Sequence, residues 1–258
     1  MSSKKPQNTP AAAGNRREQL QRQREQQAKE RKIRNLITFS ILGVAVLAIV
    51  GVIVAVVVSS TKAPEVTGGG AVTGDYAVTA GDPNAPVTLT IYQDFMCPYC
   101  GMFERGNRAD LEALVDSGTA KIEFHIVNWQ DRQSQGTRYS TRTGNAFVAV
   151  AKAEPQNVMA FNAALFDKQP EEGTPGLSDA EIAQLARDAG VGNDVIATFA
   201  RMANEDFITN STLAAQTSGI TGTPSILING EKWPADNTVN YLEPGPLKAA
   251  VEAAAAAK

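Results

Sequence analysis

The sequence predicts an α/β domain with a helical insertion, carried behind a single membrane-spanning helix. Three observations lead there. Leu36 to Val58 is a run of 23 residues without a charge. Beyond it, two alternating apolar segments flank a helix-like segment whose start holds the only two cysteines, Cys97 and Cys100. Residues 142–218 then read as helices almost throughout, and strand patterns return only after them.

At about 1.5 Å per residue the uncharged run, residues 36–58, reaches roughly 34 Å, enough for a hydrocarbon core of about 30 Å. A buried globular helix of that length is rarely apolar on every face. Residues 1–35 form a basic arm, in which ten Lys/Arg stand against Glu18, Glu25 and Glu30. The chain holds 24 Lys/Arg and 27 Asp/Glu in all, so everything after the arm is acidic. Basic flanks stay on the cytoplasmic side, which places the N-terminus in the cytoplasm and the C-terminal domain outside it. A cleaved signal peptide is the competing reading. The long run, the long arm and Pro64 directly after the small-residue site Thr61-Lys62-Ala63 count against it. No cysteine stands near the end of the run, which excludes a lipid anchor there. The arm reads as a topology signal touching anionic lipid, not as a nucleic-acid-binding segment. Residues 59–74, containing Thr67-Gly-Gly-Gly70, read as a flexible linker.

From residue 75 to 258 the pattern is globular. Tyr76-Ala-Val-Thr79 is a short strand candidate, Gly81 to Pro86 a turn, and Val87-Thr-Leu-Thr-Ile-Tyr92 alternates at the strand period. Phe103, Leu111, Leu114 and Val115 mark a helix stopped at Gly118. Ile122, Phe124 and Ile126 alternate along a second strand. This is a β-α-β unit with the cysteines at its first corner. In the insertion, about residues 140–218, helices are expected over Asn145–Lys152, Asn157–Asp167, after Ser178, and from about Asn193 to Thr217. Ser178 with Glu181 three residues on forms a capping box before Ile182, Leu185 and Ala186. Asn229-Gly230 between Ser225–Ile228 and Glu231–Trp233 signals a hairpin, and an Ala-rich helix from Pro246 closes the chain.

Cys97-Pro98-Tyr99-Cys100 spans a little more than one helical turn, so both sulfurs can lie at a helix N-terminus and close a small disulfide ring. Zinc is the other common use of such a pair. A structural zinc site takes about four ligands, and only His125 joins the cysteines as a histidine or thiol ligand, so no metal is expected. His125, between Phe124 and Ile126, is expected to face away from their side of the sheet in a structural role. Trp129 and Trp233 fit either a peptide groove or ordinary packing.

The order of elements resembles the DsbA-like family of exported thiol-disulfide oxidoreductases, a thioredoxin-like fold with an inserted helical domain. The matching residues are Gly81-Asp-Pro-Asn-Ala-Pro-Val-Thr-Leu89, Asp94-Phe-Met-Cys-Pro-Tyr-Cys100, Gly222-Thr-Pro-Ser225, and Phe166 with Gln169-Pro-Glu-Glu-Gly173. They cover roughly residues 75–250. The resemblance implies a cis peptide bond at Thr223-Pro224 beside the cysteine pair, with Thr223 offering backbone groups to an extended substrate. It implies Cys97 as nucleophile and Cys100 as the deeper, resolving thiol.

Unpaired N–H groups of a first helical turn lower the pKa of a thiol placed against them, and Pro98 suits that turn because it has no N–H to orphan. Tyr99 supplies no positive charge where related proteins carry histidine, so a less depressed Cys97 and a less oxidising site are expected. Several relatives hold a buried carboxylate six residues before the nucleophile; that position is Ile91 here. Asp94 is the nearest acid, favoured as a loop or helix-start cap over proton transfer.

The resulting expectation is a membrane-tethered extracytoplasmic thiol-disulfide oxidoreductase that oxidises cysteine pairs in exported proteins. It needs no cofactor beyond its redox-active cysteine pair and is regenerated by a membrane or extracytoplasmic redox partner. A reductase or isomerase would use the same residues, because direction follows redox poise. A thioredoxin-fold binding module with a static disulfide is the reading from another class.

Overall fold

The computed structural model describes Val72 and residues 75–257, residue 237 and the pair 73–74 apart. The apolar run 36–58 lies outside these residues, and so do the arm and most of the linker. None of the described helices is long and apolar enough to cross a membrane.

A five-stranded sheet organises the domain, with strands β1 (Val78–Ala80), β2 (Val87–Gln93), β3 (Ala120–Ile126), β4 (Ser225–Ile228) and β5 (Glu231–Trp233) in the spatial order β1-β3-β2-β4-β5. Only the β2–β3 pair is parallel, and helix α1 (Pro98–Asp116) makes its crossover. Parallel neighbours require such a crossover, whereas β4 and β5 are joined by a two-residue turn. Asn229 at φ 51° and Gly230 at φ 86° supply the two positive torsions that a type I′ turn needs. The register pairs Leu89 with Ile122, Ile91 with Phe124 and Gln93 with Ile126, so one apolar face is continuous across the central strands. It joins Phe103, Leu111 and Leu114 of α1 and Phe147 of the insertion in one core. Each fully buried side chain of this kind contributes about 1.5–3 kcal/mol.

The opposite face carries Thr90 beside Glu123 and Tyr92 beside His125. His125 is buried there, stacked on the Tyr92 ring at 4.6 Å, and its pKa is lowered by burial. Trp129 and Ala215 close over this small second cluster.

Between β3 and β4 the chain forms α2 (Tyr139–Ala153), α3 (Val158–Asp167), α4 (Asp179–Asp188), α5 (Asn193–Ile196) and α6 (Glu205–Thr217). Helix α2 begins six residues before the expected Asn145. Its first turns bury Ser140, Thr141 and Thr143, so polar residues hide the apolar period there. Ser140 and Thr141 are tolerated because they donate to the buried Asp94 and to Asp131. The expected continuous helix from 193 to 217 is also corrected. It breaks into α5, a 3₁₀ turn at Phe199–Arg201 and α6, with Met202 left-handed at φ 50°. Asn145 of α2 holds the break: its Nδ2 donates to the Phe199 carbonyl, its Oδ1 accepts from the Asn204 N–H, and its own carbonyl accepts from Asn204 Nδ2. Ser178 caps α4 with both bonds of the capping box. Helix α7 (Pro246–Ala256) buries Leu247 and Val251, four residues apart on one face.

Candidate active site

Strand β2 ends at Gln93, and the next four residues turn the chain into α1. Cys97 is the N-cap residue, extended at φ −72° and ψ 118°, and Pro98 takes the first helical position. The Cys97 carbonyl accepts from the N–H groups of Cys100 at 3.0 Å and Gly101 at 3.3 Å, which brings Cys100 under Cys97 one turn down. Both thiols are free and both are buried, Cys97 at 4% and Cys100 at 1% exposure. Tyr99 points outward at 57% exposure.

Cys97 is more covered than an open nucleophile because the segment before β4 lies against it. In the thiol form its Sγ donates to the Thr223 carbonyl oxygen at 3.3 Å. The Thr223–Pro224 bond is cis, as is the Trp233–Pro234 bond. Thr223, Pro224, Trp233, Pro234, Asn240 and Tyr241 line a groove of about 650 Å³ that starts at this contact.

The two sulfurs differ sharply in acidity. A hydrogen bond from Cys100, with further ones from Thr223 and from the Cys100 and Tyr99 backbone, outweighs burial and lowers the Cys97 pKa from 9.0 to about 6. Burial, together with the neighbouring Cys97, pushes the Cys100 thiol well above its ordinary range. A thiolate at the helix start and a thiol beneath it is the resting state this geometry favours near neutral pH.

Asp94 is fully buried, and its carboxylate spans two parts of the fold. Oδ1 accepts from the Met96 N–H at 2.9 Å and the Ser140 hydroxyl at 2.6 Å, and Oδ2 accepts from the Gln130 N–H at 2.9 Å. Ser140 belongs to α2, so the loop-cap role expected for Asp94 includes a tie to the helical insertion. Burial raises its pKa from 3.8 to about 7 despite these three donors, and the charge on Cys97 adds to the rise. The Asp94 backbone N–H faces the Cys100 sulfur. Ile91, by contrast, is a core side chain on β2.

Sequence reasoning missed three neighbours of the site. Gln169, after α3, donates through Nε2 to the Cys97 carbonyl at 2.8 Å and to the Phe95 carbonyl at 3.1 Å. Ser140 reaches Asp94 from 46 residues away. Tyr241 packs on Phe103, and its pKa is raised by burial and then by negative charge on Cys100, Tyr99 and Cys97, which puts its phenol in the field of the pair. None of the three lies in a local motif; Gln169 was visible only inside the Gln169–Gly173 segment.

Known proteins resemble the chain over this region. It is 32% identical over 177 residues to the serine/threonine-protein kinase PknE of Mycobacterium tuberculosis, covering 65% of this chain and 30% of the kinase. It is 29% identical over 102 residues to the disulfide bond formation protein D of Bacillus subtilis, covering 38% and 43%. The chain thus spans less than half the length of these curated relatives. The crystal structure of oxidised DsbA from Mycobacterium tuberculosis superposes with a TM-score of 0.56 at 26% identity, covering 70% of this chain and 98% of that one. Residues 73–244, from the start of the described domain through the groove, match the family model described as thioredoxin. The chain therefore belongs to the thioredoxin family.

Proposed function

We propose that the protein is a thiol-disulfide oxidoreductase that oxidises cysteine pairs in exported proteins, held at the membrane by residues 36–58 with its C-terminal domain outside the cytoplasm. The observation that carries this reading is the split of acidity across one helical turn: Cys97 lowered to about 6 and Cys100 raised. A low-pKa sulfur is a good leaving group, so the reduced site is stabilised and the disulfide site is oxidising.

The reaction starts from the Cys97–Cys100 disulfide. A substrate thiolate attacks the Cys97 sulfur, the bond to Cys100 breaks, and Cys100 takes up a proton because its thiol pKa is high. The Asp94 carboxyl, half protonated near pH 7 and the nearest acid along the chain, is the proposed source of that proton. A second substrate thiolate then attacks the substrate sulfur of the mixed disulfide, and Cys97 leaves as thiolate. Two substrate thiols become one disulfide, and the two electrons rest on Cys97 and Cys100. A disulfide-bearing redox partner at the membrane or outside it takes them back. Thr223, which lines the groove with Pro224, offers its backbone to the incoming peptide, and the exposed Tyr99 is open to the same peptide.

The test is the reduction potential of residues 74–258 together with the redox state of Cys97 and Cys100 in cells. An oxidised pair in cells and a potential above that of substrate disulfides are expected. A reduced pair would make the protein a reductase, and a disulfide that never exchanges with peptide thiols would end the enzymatic reading. Cys100→Ala should accumulate mixed disulfides on Cys97.

A further inference from the structure

Beside the Ser140–Asp94 bond, a second tie between the helical insertion and the redox corner is made by the side chain of Gln169. Gln169 follows the last turn of α3 and sends its amide across to the turn that leads into α1, where both hydrogens of Nε2 are used, on the carbonyls of Phe95 and Cys97. Two carbonyl acceptors fix which end of the amide is nitrogen. The remaining atom, Oε1, rests directly over Gly101. A Cβ at Gly101 would overlap Oε1, stand 2.9 Å from the Gln169 Cδ and 2.8 Å from the Arg105 Nη1. Arg105, one turn further along α1, donates to the Phe166 carbonyl at 2.6 Å and so holds the end of α3 in place. The α1 residue nearest the amide therefore has no side chain, and the next turn anchors the segment that carries it.

The Cys97 carbonyl is the acceptor that closes the first turn of α1. Without Gln169 it would draw on the Cys100 and Gly101 N–H groups alone. The same Cys100 N–H, together with that of Tyr99, also faces the Cys97 sulfur. A carbonyl already satisfied at 2.8 Å by an outside donor competes less for the N–H it shares with the sulfur. We propose that Gln169 is a positioning residue of the exchange site: it satisfies the Cys97 carbonyl from the helical insertion, leaves the Cys100 N–H that this carbonyl shares freer to turn to the Cys97 sulfur, and requires glycine at 101 to reach it. The inference rests on the reading of Cys97 as the attacking sulfur.

Its signature is the titration of Cys97, which is readable whether or not the protein catalyses exchange. Initial rates of Cys97 alkylation by iodoacetamide against pH, with the site assigned by mass spectrometry, are measured on the reduced full-length chain. Gln169→Met keeps the length of the side chain and removes the donor. It should raise the Cys97 midpoint by about half a unit to one unit, leaving about three- to tenfold less thiolate on the acid side. Gly101→Ala displaces the amide by overlap and should shift the midpoint in the same direction. Combined with Gln169→Ala, it should add little to the shift of Gln169→Ala alone, since both substitutions break one contact. An unmoved midpoint in folded Gln169→Met overturns the proposal, and so do fully additive shifts in the double variant. Shifts as expected in a protein that fails to exchange with peptide disulfides would uphold the role of Gln169 and sink the enzymatic reading instead.

Discussion

Asp94→Asn separates the electrostatic from the packing role of the buried carboxylate. Below pH 3.8 the Asp94 carboxyl is protonated in both the folded and the unfolded chain and adds no pH dependence. Between 3.8 and about 7 the unfolded chain releases a proton that the folded chain keeps, so stability falls as pH rises. At 1.36 kcal/mol per pH unit, the deficit reaches about 4 kcal/mol by neutral pH. Asparagine has no proton to release and removes this slope. Its amide puts an N–H where Oδ2 now accepts from Gln130, leaving a buried donor unpaired at a pH-independent cost of about 1–3 kcal/mol. The variant should therefore be less stable than wild type at pH 3.5 and more stable at pH 8. Urea denaturation of the reduced domain, residues 74–258, at half-unit pH intervals measures the difference. Cys97 is present in both proteins, so its own titration largely cancels. A stability difference that stays flat from pH 4 to 8, or that grows in favour of wild type, would refute the reasoning. Mixed-disulfide resolution should slow in the same variant, since residue 94 then has no proton to give or take.

Two further outcomes test other parts of the site. Alkylation of Cys97 in the reduced protein should titrate with a midpoint about 6, and stability from this thiolate should be complete above pH 9.0 and lost as pH falls through 6; a Cys97→Ala protein that shows the same pH–stability curve would contradict this. Arg108→Leu strips the two-bonded partner from Glu104, whose side chain is only 4% exposed, and should cost about 3 kcal/mol in urea denaturation. Adding Glu104→Gln to that variant should recover part of the loss, and no recovery would mean that packing, not the stranded charge, was responsible.

The Gly118 stop, the Asn229-Gly230 turn and the Ser178 capping box were legible because each encodes its geometry within a few residues. The strand alternation of β2 and β3 was legible for the same reason, since one apolar face dictates a period of two. Helix α2 and the break before α6 were not. Their boundaries depend on Ser140 finding Asp94 and on Asn145 finding Phe199 and Asn204, partners 46 to 59 residues away. Polar residues buried against distant partners look like surface in a one-dimensional pattern.

The same division runs through the site. The sequence by itself determined which atoms are available for the proposed chemistry: only two thiols exist, their spacing places both on the first turn of a helix, and Pro98 admits that turn. Tertiary structure alone decided how acidic each sulfur is and what governs it. Burial separates Cys100 from Cys97, the Thr223 segment covers the Cys97 sulfur, and Gln169 and Ser140 bring the insertion to the corner. Acidity depends on desolvation and on donors within a few ångströms, and those are set by which distant segments pack there.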